Sequence, residues 1–259
     1  MSASGEGWFA DPQDASRLRW WDGARWTHHT HPLPGAEHWT RPLPRWWSGL
    51  SVVVQASLLT CAAASAFTFW VDLQVLAFVD DVRLRPDTVT LADAERIDVL
   101  TLWSLLELVT LLVTGVLFVV WLYTAHHSSR MDRRVLRHGS GWAIGGWFVP
   151  VLSLWRPFQV VSDVRRGATG DGGAPVPLRQ GWWWGTWVAL TVVSGVVSVL
   201  YSRATSAPNG LPYADALGAA ASWERLSSVL TVVCALLAIS LVRELTALVA
   251  RPTEEHRRV

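Results

Sequence analysis

The chain has little charge, two cysteines and no lysine at all. Asp, Glu, Lys and Arg make up 17% of its 259 residues, whereas a soluble domain carries about a quarter. The low charge disfavours an ordinary soluble enzyme, and the 51% hydrophobic content disfavours a disordered chain. A formal net charge of +1 argues against nucleic acid as a partner. Two cysteines exclude a disulfide framework, and the lack of lysine excludes Schiff-base chemistry.

Four long apolar segments stand out against this background. A helix that crosses a bilayer needs about 17–25 mostly apolar residues. Tryptophans lie near the segment ends, where interfacial anchors are typical. The last segment can continue to about residue 250, because Arg243 can extend its guanidinium to the interface. The pattern predicts a mainly α, polytopic membrane protein with about four transmembrane helices. The segments are residues 50–71, 99–123, 182–201 and 226–242.

A fifth apolar segment, residues 141–155, is shorter and is interrupted by Pro150. If it does not cross the membrane, the arginines concentrate on the side that holds the N-terminus, as they do on cytoplasmic flanks. If it crosses, arginine is roughly balanced between the two sides. We therefore expect four spans in the plasma (inner) membrane, with both termini in the cytoplasm. The fifth segment is then re-entrant or interfacial, and a Pro-kinked fifth span is the alternative.

The first 30 residues predict a small β module. Residues 7–9, 17–21 and 24–30 have the pattern of short strands. Asp22-Gly23 is typical of a two-residue hairpin turn, because both central positions of that turn require positive φ. The module should be a three-stranded antiparallel β meander.

Tryptophan supplies nearly all the apolar area of this module, from Trp8, Trp20, Trp21 and Trp26. Side chains alternate along a strand, so Trp20 and Trp21 should face opposite sides and one ring should stay partly exposed. Exposed aromatic rings on a small sheet indicate a surface that binds a partner. The alternative is that all four rings only hold the module together.

Two sets of motifs resemble known families. Gly-Trp-Phe-Ala-Asp-Pro at 7–12 and Leu-Arg-Trp-Trp-Asp-Gly-Ala-Arg-Trp-Thr at 18–27 resemble the short Trp-rich domain of actinobacterial membrane proteins, domain-of-unknown-function family 2510. Gly-Trp-Phe-Val-Pro at 146–150 and Trp-Arg-Pro-Phe-Gln-Val-Val at 155–161 resemble family 4328, also of unknown function. Neither resemblance implies a reaction, a cofactor or a ligand.

We divide the chain into four parts: the β module (1–30), a Pro-rich linker (31–48), the helical membrane domain (49–250) and a cytoplasmic tail (251–259). The linker repeats the pattern Pro-Leu-Pro, which favours an extended polyproline spacer. Small aromatic sheets bind such segments. We therefore expect a protein partner at the module, with Pro-rich peptides, the linker included, as candidates.

Glu107 is the most informative residue inside the predicted spans. An ionisable group about two turns into a span costs a few kcal/mol unless it faces the bundle or water. Thr110 and Thr114 lie on a similar side of the helix, which indicates a polar seam. Arg156 is a partner only if the dipping segment reaches deep, and the two residues belong to opposite halves of the membrane. Glu107 indicates either a proton or cation step in a small transporter or a structural contact.

The loop after the first span is acidic, and we interpret it as a solvated face. It begins with Asp72 and includes Asp80 and Asp81. Thr90 followed by Asp93 predicts the N-terminus of the second membrane helix.

A basic cluster follows the second span, formed by Arg130, Arg133, Arg134 and Arg137. Basic residues beside a cytoplasmic membrane surface attract anionic lipid headgroups by about 1 kcal/mol each. We therefore expect contact with such lipids there. Four histidines between residues 28 and 38 lack the cysteine or paired carboxylates of a metal site.

The sequence has no catalytic motif, such as G-x-S-x-G, a phosphate loop, H-E-x-x-H or a dinucleotide fingerprint. We expect no enzyme activity, no catalytic residues, no cofactor and no metal. The most consistent function is a scaffold or interaction protein whose module recruits a partner to the membrane. The alternative is a small transporter or channel-like protein that uses Glu107. Small residues at four-residue spacing also allow a homo-oligomer.

Overall fold

The structure, a computed structural model, describes residues 5–32, 42–208 and 210–251. The chain divides into two compact units. One holds Met1–Pro42 with His127–Ser129, and the other holds Leu43–His126 and Arg130–Val259. Most of the predicted linker, most of the predicted tail and His38 lie outside the described residues.

The first unit contains a three-stranded antiparallel sheet, as predicted. Its strands are β1 (Gly7–Asp11), β2 (Asp14–Trp21) and β3 (Trp26–Pro32), in the order β1-β2-β3. The hairpin between β2 and β3 was predicted with a two-residue turn, and this length is wrong. The loop has four residues, 22–25, because the last strand pair is Trp21 with Trp26; within the loop the amide of Asp22 donates to the carbonyl oxygen of Arg25 at 3.2 Å.

The second unit is helical, and its long helices match the four predicted spans. The helices are α1 (Trp47–Leu84), α2 (Leu91–His127), α3 (Trp142–Phe148), α4 (Arg156–Thr169), α5 (Leu178–Ser206) and α6 (Leu211–Ala250). Short 3-10 turns lie at Pro86–Thr88 and Leu152–Leu154. In the described part of the chain, α1, α2, α5 and α6 are long and apolar enough to cross a membrane. These are the helices of a multi-pass membrane protein.

The long helices extend well beyond the apolar segments. At 1.5 Å per residue, the 38 residues of α1 measure about 57 Å, against about 30 Å for the hydrocarbon core. The helix therefore continues through Asp72, Asp80 and Asp81, which were predicted to lie in a solvated loop. It ends where Pro86 forces Arg85 out of the helical region, to φ −141°.

The start of α2 agrees with the predicted capping signal. The backbone amide of Thr90 donates to Asp93 Oδ2 at 3.0 Å, and the amide of Asp93 donates to Thr90 Oγ1 at 3.3 Å. This reciprocal pair satisfies amide groups that a helix N-terminus leaves without intrahelical partners. The predicted end of α6, near residue 250, is also confirmed.

The four long helices form an antiparallel bundle. At one end, Trp47 Nε1 of α1 donates to the carbonyl oxygen of Trp121 on α2 at 3.1 Å. Also near the start of α1, Arg243 Nε of α6 donates to Gln55 Oε1 at 2.7 Å. At the other end of α1, Gly218 of α6 lies so close to Val79 that an added Cβ would sit 3.2 Å from its methyl group. Adjacent helices therefore run in opposite directions.

Residues 141–155 do not form a fifth spanning helix. Helix α3 has seven residues, about 10 Å of length, so it is too short to cross. The chain breaks at Pro150, and Val151 takes a positive φ of 69° before the 3-10 turn. Trp184 Nε1 of α5 donates to the carbonyl oxygen of Leu154 at 3.0 Å, which fixes this segment against the bundle.

The antiparallel arrangement places the start of α1 and the end of α6 at the same end of the bundle. Together with the arginine bias, it predicts that both ends of the chain are cytoplasmic. A fluorescent reporter that folds only in the cytoplasm should therefore be bright when fused at either end of this chain. A periplasmic phosphatase reporter should be active when inserted between α5 and α6. Opposite signals at the two ends would contradict the four-span topology.

Candidate functional site

Asp11 joins the two sequence motifs of the β module. Its buried carboxylate accepts from the backbone amide of Gln13 at 2.9 Å and from Arg19 Nε at 3.1 Å. The first contact closes the turn between β1 and β2, and the second ties β2 back to that turn. The aspartate of the first motif and an arginine of the second are thus one ion pair.

The second motif contains the hairpin loop. Asp22 Oδ1 accepts the backbone amides of Ala24 and Arg25 at 2.9 and 2.7 Å. These hydrogen bonds hold the pKa of the Asp22 carboxyl below its ordinary value. Gly23 has a φ of 90°, in the left-handed region that favours glycine. The loop geometry therefore depends on both residues.

The tryptophans form an aromatic pair on each face of the sheet. Trp8 and Trp20 meet edge to face at 5.4 Å between ring centroids, and Trp21 and Trp26 do so at 5.2 Å. Trp20 and Trp21 therefore lie on opposite faces, as alternation predicted. The most exposed rings come from β1: Trp8 is 44% exposed and Phe9 is 37% exposed. The predicted partner-binding residues thus pack together while each face keeps an accessible ring.

Replacing Asp11 by Ala should loosen the module without affecting the helical bundle. Loss of hydrogen bonds to a charged group costs about 1.5–3 kcal/mol, a large share for so small a sheet. Hydrogen exchange of residues 7–32 in the purified full chain should accelerate, while exchange in α6 stays unchanged. Asp87→Ala, at an exposed position between α1 and α2, is the control. Equal protection of the sheet in both variants would contradict the structural role of Asp11.

Glu107 faces α1, where its carboxylate accepts a hydrogen bond from Ser65 Oγ at 2.5 Å. Thr114 continues this seam, with its hydroxyl 3.4 Å from Cys61 Sγ. Thr110 instead donates to the backbone carbonyl of Glu107 within its own helix, at 2.9 Å.

The structure does not bring Arg156 to Glu107. Arg156 Nη1 donates to Gln159 Oε1 at 3.1 Å, and its guanidinium lies 4.7 Å from the centre of the Trp142 ring. Both contacts hold Arg156 at the junction of α3 and α4, so the two candidate intramembrane residues belong to separate sites.

Glu107 has other ionisable neighbours, and none of them was predicted as a site residue. Asp72 of α1 is 2% exposed and lies two turns along the helix from Ser65, the residue that Glu107 binds. Glu224 and Arg225 of α6 lie level with Asp72, because α1 and α6 run antiparallel with Gln55 against Arg243 and Val79 against Gly218. Glu224 in turn accepts a hydrogen bond from the Tyr201 hydroxyl of α5. We call this set the polar centre: Asp72, Glu107, Tyr201, Glu224 and Arg225. Each of the four long helices contributes to it.

One sequence signal could have found Asp72. Ser65, Thr68 and Asp72 follow each other at spacings of three and four residues, so they share one helix face, and all three are buried. Glu224 and Arg225 stand just before the fourth apolar segment, where charged residues are ordinarily taken as solvated. Only packing places them opposite Asp72.

The opposite end of the bundle carries a second polar network, and here each carboxylate has cationic or histidine partners. The fully buried Asp163 of α4 binds His138 Nδ1 at 2.7 Å and Arg166 Nη1 at 3.0 Å. Glu244 of α6 binds Arg165 through two hydrogen bonds, at 2.5 and 2.9 Å, and Arg179 at 2.8 Å. The Glu244 pairs fasten α4 and the start of α5 to α6, and the Asp163 pairs tie α4 to His138 in the segment before α3.

The four arginines predicted to contact lipid do not share one environment. Arg130, Arg134 and Arg137 are exposed, whereas Arg133 is half-buried. Arg133 Nη1 donates a hydrogen bond to Ser140 Oγ at 3.4 Å. Burial lowers the pKa of the Arg133 guanidinium. A lipid-facing role therefore suits the three exposed residues best.

Asp163→Ala should strongly destabilise the second unit. Removing one partner of a buried ion pair costs about 3–5 kcal/mol, because the remaining charge stays buried without its counter-charge. Thermal unfolding of the purified protein should shift to lower temperature. Asp98→Ala, an exposed carboxylate on α2, should leave the midpoint unchanged. Equal midpoints for the two variants would show that Asp163 does not hold α4 in place.

Among the described residues, no group of three or more His, Cys, Asp or Glu side chains is arranged to hold a metal ion.

Two family models match the chain. One, described as a domain of unknown function (DUF4328), matches residues 80–247, which is more than half of the chain. The other, described as a protein of unknown function (DUF2510), matches residues 7–39. No curated protein and no solved structure shows significant similarity to the chain.

Proposed function

The chain belongs to the DUF4328 family, and we propose that it is a membrane scaffold whose N-terminal sheet recruits a protein partner to the helical bundle. The observation that carries this proposal is the pair of exposed aromatic rings, Trp8 and Phe9, on a sheet that forms a separate compact unit. The four apolar helices supply the membrane anchor.

The sheet has the properties of a recognition surface. Its three strands are too few to cover both aromatic faces, so Trp8 and Phe9 remain accessible on opposite sides. Aromatic residues dominate the binding energy of protein interfaces because they bury a large area at little entropic cost. Pro-rich segments are suitable ligands, since they are already extended and pack on aromatic grooves.

The proposed location is the plasma (inner) membrane, with the sheet in the cytoplasm. The distribution of arginine over the loops supports this orientation. In that orientation Arg130, Arg134 and Arg137 lie near the cytoplasmic leaflet, where anionic headgroups would attract them. Membrane attachment and partner recruitment then act on the same side.

A second candidate function is a small transporter that uses Glu107. One observation supports this function: Glu107 belongs to a set of ionisable residues to which all four long helices contribute. Ionisable side chains inside spans commonly mark ion or proton pathways.

Co-purification from native membranes tests the recruitment function. Full-length tagged protein should retain a specific partner that is lost when residues 1–30 are deleted. Trp8→Ala and Phe9→Ala each remove the exposed aromatic ring from one face of the sheet. The variant on the face that contacts the partner should weaken binding more. Loss of a central aromatic contact costs about 2 kcal/mol, roughly thirtyfold in Kd.

Trp46→Ala is the matched control, because it removes an exposed indole just before α1, outside the sheet. It should leave the partner bound. If the same proteins co-purify with the full chain, the deletion and both point variants, the sheet does not recruit them.

A further inference from the structure

The polar centre contains more acidic than basic groups. Its carboxyl groups are Asp72, Glu107 and Glu224, and its only guanidinium is that of Arg225. If all were ionised, two negative charges would have no counter-charge within the set. A carboxylate removed from water without a paired charge is strongly disfavoured, and this favours a ligand that restores neutrality.

Asp72 provides the second observation that points to a ligand. Its side chain is almost completely buried, and within the described part of the chain its Oδ2 has no hydrogen-bond partner. Thr68 lies one turn earlier on the same helix face, and its buried hydroxyl likewise has no hydrogen-bond partner among the described residues. Buried polar atoms are nearly always hydrogen-bonded, so this oxygen is a position where a bound proton would create a donor.

The arrangement suits a proton better than a metal ion. A metal needs several ligand oxygens at short, matched distances, and the described carboxylates do not form such a group. A proton needs a single carboxylate oxygen and a neighbouring acceptor. Glu224 already accepts from the Tyr201 hydroxyl, so hydrogen-bonded hydroxyl and carboxyl groups link α5 to α6 beside Asp72.

We propose that Asp72, Glu107 and Glu224 form a proton-binding site between the four long helices, with Asp72 as the group that takes up the proton. A hydronium ion transfers its proton to a carboxylate oxygen of Asp72, which leaves water and a neutral carboxyl group. No other bond changes.

The ionisable groups that face Asp72 come from each helix around it. They are Glu107 on α2, Tyr201 on α5, and Glu224, Arg225 and, next to Tyr201, Tyr213 on α6. This inference rests on the second candidate function, for which it names the ligand, but binding and transport are measured separately.

Infrared difference spectroscopy of the full chain in lipid nanodiscs tests the site. Acidification should produce the C=O band of a buried, protonated carboxyl group, which is sensitive to deuterium exchange. Asp72→Asn, which keeps the shape but cannot ionise, should remove that band. Asp98→Asn, at an exposed position on α2, is the matched control and should retain it.

Variants of the neighbours keep the proposal testable if Asp72→Asn does not fold. Glu107→Gln and Glu224→Gln each remove a negative charge near Asp72 and should weaken proton binding about tenfold. Arg225→Gln removes the positive charge and should strengthen it about tenfold. Changes of opposite sign would support the site, whereas identical titrations in all variants would overturn it.

Two further experiments test the identity of the ligand and the transport function separately. If sodium chloride at constant pH abolishes the band, a sodium ion and not a proton is the ligand, and the proposal fails. Proton flux into liposomes, followed with a pH-sensitive dye, tests transport. A band that titrates without flux supports the site and rejects the transporter, whereas flux that persists in Asp72→Asn without the band overturns the site.

Discussion

Hydrocarbon around a helix cannot accept or donate a hydrogen bond, and this constraint organises the helical unit. A polar side chain on a spanning helix is therefore stabilised when it faces another helix or its own backbone. Ser65 and Glu107 meet between α1 and α2, Tyr201 and Glu224 meet between α5 and α6, and both contacts are partly buried. The packing of apolar side chains sets how close the helices come, and these polar contacts fix which faces meet.

The two polar networks of the bundle differ in charge balance. Asp163 and Glu244 each bind two basic side chains; Glu244 holds α4 and α5 against α6, and Asp163 ties α4 to His138, before α3. The polar centre contains three carboxyl groups and one arginine, and Asp72 keeps an oxygen without a partner among the described residues. A network whose charges are paired stabilises the packing around it, whereas carboxyl groups without a paired charge favour a ligand that restores neutrality.

The β module follows a different principle, because it has too few residues for a large core. Two aspartates organise its turns through hydrogen bonds to backbone amides, and Asp11 also binds Arg19. The tryptophans pack in edge-to-face pairs on both faces, and such pairs contribute about 0.5–1.5 kcal/mol each beyond area burial. The small number of residues also leaves Trp8 and Phe9 accessible.

Local sequence was sufficient for the features that depend on length and on short-range geometry. Apolar runs as long as a bilayer is thick predict spanning helices, and alternating aromatic residues around Asp22-Gly23 predict a hairpin. The capping pair at Thr90 and Asp93 is local as well, and it was predicted correctly. Helix ends were less predictable, since the polar turns that follow an apolar run carry no strong stop signal until a residue such as Pro86.

The polar centre could not be read from the sequence, because its members are separated by up to 153 positions, from Asp72 to Arg225. By itself the sequence determined how many helices are long and apolar enough to span, and that Glu107 is costly unless it finds a partner. Only the tertiary structure decided that Asp72, placed by its sequence context in a solvated loop, is buried opposite Glu224. The physical reason is that a helix face is defined locally, whereas the identity of the residues that cover it depends on how α1, α2, α5 and α6 pack.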